Sequence, residues 1–225
     1  MTKRRAIRTA ILSCLLTLWA AGEASAQQFD IGSGGLPTIT GAVGGSVTGS
    51  ADVTQNLTVI INFGEVSPLN TNNIIRAVVP VLVRSTAPYR VEVSVTASSF
   101  NTGSPQAVQR SDIGFGVANL RPNARAQDCN QSPHVFYPPF NNDPATTITF
   151  DPQGRAAYPS SLASIGASTV IMSGPQLTKP GNFNQRDGSG YIFDAIFTIK
   201  PQYYASGTFS ATITFTIAAG PNVPC

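Results

Sequence analysis

Near the C-terminus, Phe209, Ala211, Ile213, Phe215 and Ile217 alternate with Ser210, Thr212, Thr214 and Thr216 without exception. Successive side chains of a strand point to opposite faces, so this period of two describes one apolar and one polar face. Leu57, Val59, Ile61 and Phe63 repeat the pattern and end at Gly64. So do Tyr89, Val91, Val93 and Val95, with Arg90, Glu92 and Ser94 facing water. Ile74 to Arg84 is rich in Val and Ile, and Pro80 within it predicts an edge or a bulge, because proline brings no N–H to a ladder. Ser85-Thr86-Ala87-Pro88 is turn chemistry, so the segments on either side of it are expected to form a hairpin. Ile113 to Val117, Thr146 to Phe150, Thr169 to Met172 and Tyr191 to Ile199 are further strands, and Ser160 to Ile165 is a helical turn. Many short strands with almost no helix predict an all-β, antiparallel β-sandwich. A long Pro/Asn-rich loop, residues 118–144, interrupts it, and a connection of that length is either functional or tied down.

The chain divides into three parts. Residues 1–26 have a basic start (Lys3, Arg4, Arg5, Arg8), an apolar run from Ala10 to Ala21 and a small-x-small site, Ala24-Ser25-Ala26. That order is a secretory signal peptide, with a run too short to span a bilayer. The mature protein is therefore expected to be bacterial, exported through the periplasm, and secreted or held at the cell surface. No later stretch is long and apolar enough for an integral span. Of 14 basic and 11 acidic residues, Lys3, Arg4, Arg5, Arg8 and Glu23 lie in the signal, so the rest is balanced in charge. No basic face for nucleic acid follows. With only 11% charged residues in the chain, little repulsion opposes self-association.

Residues 27–51 form a Gly-rich N-terminal arm, and residues 52–225 form the sandwich domain. Ile39, Gly41, Val43, Gly45 and Val47 share one side of the arm. Ile39, Val43 and Val47 would act as a donor strand if a groove elsewhere received them. Once the signal and its Cys14 are removed, Cys129 and Cys225 remain, and an oxidising compartment favours a disulfide between them.

Chemistry is sparse. His134 is the only histidine, so any Ser-His-Asp or Cys-His arrangement would have to use it, and Ser132-Pro133-His134 offers no local support. Nucleophile elbows, zinc-protease helices and phosphate loops do not occur. Asp112, Asp143, Asp151, Asp187 and Asp194 could act in pairs, but Asp143, Asp151 and Asp187 precede proline or glycine at turns. Asn141, Asn142 and Asp143 gather oxygen ligands without a calcium-loop consensus. No catalytic residue, metal or cofactor is assigned, and the chain is not expected to be an enzyme. Phe136, Tyr137 and Phe140 either contact a ligand or partner or anchor the long loop. Tyr203 and Tyr204, beside Pro201, could stack on sugars or mark a strand corner.

Leu57-x-Val59-x-x-Asn62-Phe63-Gly64-Glu65-Val66-Ser67-Pro68, Pro88-Tyr89-x-Val91-x-Val93 and Tyr203-Tyr204-Ala205-Ser206-Gly207-Thr208-Phe209 resemble spore-coat-protein-U-type pilin domains. The resemblance covers roughly residues 52–97 and 190–218, and the family's early cysteine pair has no counterpart. It implies an immunoglobulin-like, pilin-like sandwich lacking one strand, completed by the N-terminal extension of the next subunit. A periplasmic chaperone and an outer-membrane usher would assemble it. The expected function is a structural subunit of an extracellular filament, pilus or cell-surface layer, with copies of itself or related subunits as partners. The alternative is a monomeric secreted binding module for carbohydrate or surface adhesion.

Overall fold

Where the apolar faces fall dictates how the strands stack. The computed structural model describes residues 27–50, 54–69, 73–99, 107–123, 134–178, 183, 190–204 and 209–221. Its strands are β1 (Phe29–Ser33), β2 (Thr38–Thr40), β3 (Ser46–Gly49), β4 (Asn56–Asn62), β5 (Ile75–Ser85), β6 (Tyr89–Ser99) and β7 (Ile113–Pro122). They continue with β8 (Val135–Phe136), a short helix α1 (Pro144–Thr147), β9 (Thr149–Phe150), β10 (Ala156–Ala157), β11 (Thr169–Gly174), β12 (Tyr191–Ile199) and β13 (Ser210–Ala219).

Two antiparallel sheets make the sandwich. One runs β1–β5–β12–β7, with β2 also on β5, and the other runs β3–β4–β13–β6–β11–β8. The alternation in β4 and β13 is realised residue by residue: Leu57, Val59 and Ile61 are buried, as are Ala211, Ile213, Phe215 and Ile217. Phe115 on β7 spans the gap between the sheets, its ring 5.1 Å from Phe197 and 6.3 Å from Phe215. Each such ring removes enough apolar surface from water to contribute about 1.5–3 kcal/mol.

Each open side of the sandwich is closed by one irregular segment. On the first side the N-terminal arm supplies β1 and β2 to one sheet and β3 to the other. On the second side the chain from Val135 to Ser164 lends β8 to the second sheet and then crosses to β7. There Phe115 N donates to Ser160 O at 3.2 Å and Val117 N donates to Phe140 O at 2.7 Å. Gly114 and Gly116 make the approach feasible. A Cβ on Gly116 would lie 2.1 Å from Asn142 O, and one on Gly114 would lie 2.5 Å from the Tyr158 ring.

Two sequence expectations need correction. Ser85–Pro88 is not a hairpin turn, because β5 pairs with β1, β2 and β12 while β6 pairs with β13 and β11. The corner carries the chain between sheets, held by Thr86 N donating to Gln28 O at 3.0 Å and by Gly220 N donating to Pro88 O at 3.0 Å. Nor does a strand begin at Thr146. Asp143 accepts from Ala145 N at 2.9 Å and Pro144 starts the helical turn, so Thr146 is helical and only Thr149–Phe150 is extended.

Gly116→Ala is expected to lower stability by about 1–3 kcal/mol in urea unfolding, because the added methyl group meets a backbone carbonyl that must move. Gly166→Ala serves as the control, since its nearest atom is Thr169 Oγ1 at 3.7 Å. Equal losses in the two variants would contradict the docked-loop account.

Candidate functional site

The arm lies along the outer edge of β5 as a broken strand. β1 pairs with the C-terminal half of β5 (Phe29 opposite Ser85, Ser33 opposite Val81), and β2 pairs with the N-terminal half (Thr38 opposite Val78, Thr40 opposite Arg76). The break falls opposite Pro80. Gly34 N donates to Pro80 O at 2.8 Å, which turns that residue's polar edge toward the arm, where no proline N–H exists to continue the ladder. The proline effect expected within β5 therefore appears in its neighbour.

Ile31 is the arm's deepest residue. It is fully buried in the main core, and its N–H and C=O also pair with Thr54, at 2.5 and 3.1 Å. Beside it, Asp30 lies 3.5 Å from the guanidinium of Arg84, which is buried and stacks 4.6 Å over the Phe183 ring. Gln28 N donates to Thr86 Oγ1 at 2.9 Å and fixes the start of the arm.

The expected donor set of Ile39, Val43 and Val47 is dispersed. Ile39 sits in β2 opposite Ala77, and Val47 sits in β3 opposite Ile61 in the other sheet. Val43 is 47% exposed and only bridges to Glu65. Gly41 and Gly44 have φ of +77° and +70°, so the chain turns from one sheet to the other where a single strand was expected. All three residues pair within their own chain, and the arm is seated on its own body. The short Phe29-Asp30-Ile31 alternation at the start of the arm was the missed indication.

His134 packs between two tyrosines. Its ring centroid is 4.6 Å from that of Tyr191, and its Nδ1 is 3.1 Å from the buried Tyr89 hydroxyl. Burial lowers its pKa, and burial likewise raises that of Tyr89. Phe140 is buried against Phe115 at 5.6 Å, so its ring faces the core. Phe136 is partly buried with an edge-on contact to Phe193 at 6.1 Å, and the Tyr137 hydroxyl is 2.8 Å from Ser173 Oγ. These three side chains anchor the loop.

The carboxylates are spent on turns and ion pairs. Asp143 holds Arg76 at 2.8 Å, Asp194 holds Arg121 at 2.9 Å, and Asp151 accepts from Gln153 N and Arg155 N. Asp112 accepts from Gln109 N at 2.7 Å, and its pKa is raised because burial outweighs that bond. Asn142 accepts from Thr147 Oγ1 at 3.0 Å, which uses an oxygen of the Asn141–Asp143 cluster internally. Among the described residues no group of three His, Cys, Asp or Glu side chains could hold a metal ion, and no helix is long and apolar enough to cross a membrane. Cys129, Cys225 and Asp187, like the expected signal at 1–26, lie outside the described residues.

Comparison with protein-family models, with curated proteins and with solved structures found no match.

Ile31→Ala is expected to destabilise the fold by about 2–5 kcal/mol, as for a buried aliphatic side chain cut to a methyl group. Val43→Ala is expected to stay within about 0.5 kcal/mol. Denaturant unfolding of both checks the assignment, and the reverse order would contradict it. Acid provides a second test. Because the folded His134 pKa lies below its unfolded value, the unfolded chain takes up the proton first, and stability falls as pH drops below about 6.5. Glu92, whose pKa is lowered chiefly by the Ser168 hydroxyl and then by Arg90, loses its contribution only from about 4.5 downward. His134→Gln should flatten the upper part of the pH–stability curve; an unchanged slope there would overturn the assignment.

Proposed function

We propose that the mature chain is an exported structural subunit of a filament, pilus or cell-surface layer, and that copies are joined by exchanging the segment from β1 to β2. The observation that carries this reading is the segment's placement. It lies at a sheet edge, plugs the core with Ile31, and meets the body through a glycine-bearing crossover at Gly41 and Gly44. A strand of that kind can occupy its own groove or that of another copy with the same hydrogen bonds, so exchange costs little in contacts. β3 belongs to the body in this reading, because it forms a hairpin with β4.

The immunoglobulin-like, pilin-like character expected from sequence fits this reading. In the closed monomer the arm fills the groove itself. A periplasmic chaperone and an outer-membrane usher would serve to keep arm and groove apart until subunits meet. The small number of charged residues favours close approach of copies.

Thr38 and Val78 are opposed in register on β2 and β5, which makes a direct test available. The Thr38→Cys/Val78→Cys variant, with Cys129 and Cys225 changed to Ser, would be concentrated, oxidised and run on a denaturing gel without reductant. Exchange predicts covalent ladders that collapse on reduction. A single internally cross-linked monomer band, at every concentration and after partial unfolding and refolding, would contradict it.

A further inference from the structure

A cleft of about 510 Å³ opens at the end of the sandwich where β12 gives way to the Pro201–Tyr204 corner. Its opposite wall is the turn of the β9–β10 ribbon, which presents Gln153, Gly154 and Arg155. That size is within the range of small-molecule sites. Tyr203, at its mouth, is 81% exposed, whereas most aromatic side chains of the described chain are buried. A flat ring left open to water beside a concavity is a stacking platform for a ligand with an apolar face. The exposed polar groups beside it are planar: the amide of Gln153 and the guanidinium of Arg155. Planar donors of this kind suit paired oxygens.

Both walls are locally fixed. Asp151 Oδ1 accepts from Gln153 N at 3.0 Å and from Arg155 N at 2.7 Å, and Asp151 N donates to Arg155 O at 3.0 Å, so the turn carrying Arg155 is tied twice to one carboxylate. On the other side Tyr204 N donates to Gln202 O at 2.8 Å, and the Tyr204 ring packs against the core. Among the described residues Arg155 is the one charged residue lining the cleft, and no acidic side chain lines it. Arg155 already acts on the Asp112 carboxyl but is itself exposed, so it has room for a second anion, and a bare anion such as phosphate would leave the tyrosine face unused. A sugar ring bearing a carboxylate uses both.

We propose that this cleft binds an acidic saccharide, with the ring stacked on Tyr203 and its carboxylate paired with the Arg155 fork. Gln153, exposed on the same turn, takes a neighbouring hydroxyl. The site is independent of arm exchange and would operate in monomer or polymer alike.

Calorimetric titration of the full mature protein with tri-galacturonate, and separately with the neutral galactose trimer, tests this. The acidic trimer is expected to bind and the neutral one to bind at least about tenfold more weakly. Tyr203→Ala is expected to weaken the acidic trimer by roughly tenfold, and Arg155→Gln to remove the preference for it over the neutral one. Both side chains are exposed, and unfolding curves matching the wild type confirm intact variants. Absence of binding by the wild-type protein, equal binding of the two trimers, or binding that survives both substitutions would overturn the proposal.

Discussion

A β-sandwich has two open sides, and the backbone groups along them must find partners or be left as templates for other chains. Here each side is closed by chain that is not regular sheet. The arm supplies one strip to each sheet on the first side, and the loop from Val135 to Ser164 does the same on the second. The core between Phe115, Phe197 and Phe215 depends on both closures, because Ile31 and Phe140 enter it from the arm and the loop. The two closures differ in kind. The loop is tied to β7 by backbone hydrogen bonds at Phe140 and Ser160, over glycines that leave no spare room. The part of the arm that forms β1 and β2 is broken opposite Pro80 and turned away from β3 at Gly41 and Gly44.

The body strands were readable because each carries its own period. β12 spans Tyr191–Ile199 as the sequence predicts, and β4 and β13 bury the residues their alternation assigns to the core. Local chemistry was less informative about partners. The Ser85–Pro88 turn signals a change of direction, but whether the next strand stays in the same sheet is decided by what pairs with it from far along the chain, here β13. The arm misled for a related reason. Ile39, Val43 and Val47 share a period of two, yet two intervening glycines adopt positive φ and break the face that the period implies. Ile31 escaped notice because three residues of alternation are too few to stand out beside Gly32 and Gly34.

The candidate sites follow the same division. Phe136, Tyr137 and Phe140 stand out in sequence as aromatics in a long loop, and the fold uses them to seat that loop. Tyr203 stands in a weaker context, beside Pro201, and is the aromatic left facing solvent over a cleft. Aromatic content alone cannot separate the two, because an anchoring ring and a binding ring differ only in what lies behind and in front of them. The wall opposite Tyr203 comes from Gln153 to Arg155, about fifty residues away in the chain, and only folding brings them together.

Complementation in trans tests the central claim, that the arm is a separable strand seated in a groove of its own sandwich. A mature chain lacking residues 27–40 would be mixed with a synthetic peptide of that sequence, and its unfolding followed as peptide is added. The account predicts a destabilised body whose midpoint rises with peptide concentration, as for any ligand that binds only the folded state, and a weaker rise with a peptide carrying Ile31→Asp. A truncated body as stable as the full chain and indifferent to peptide would contradict it.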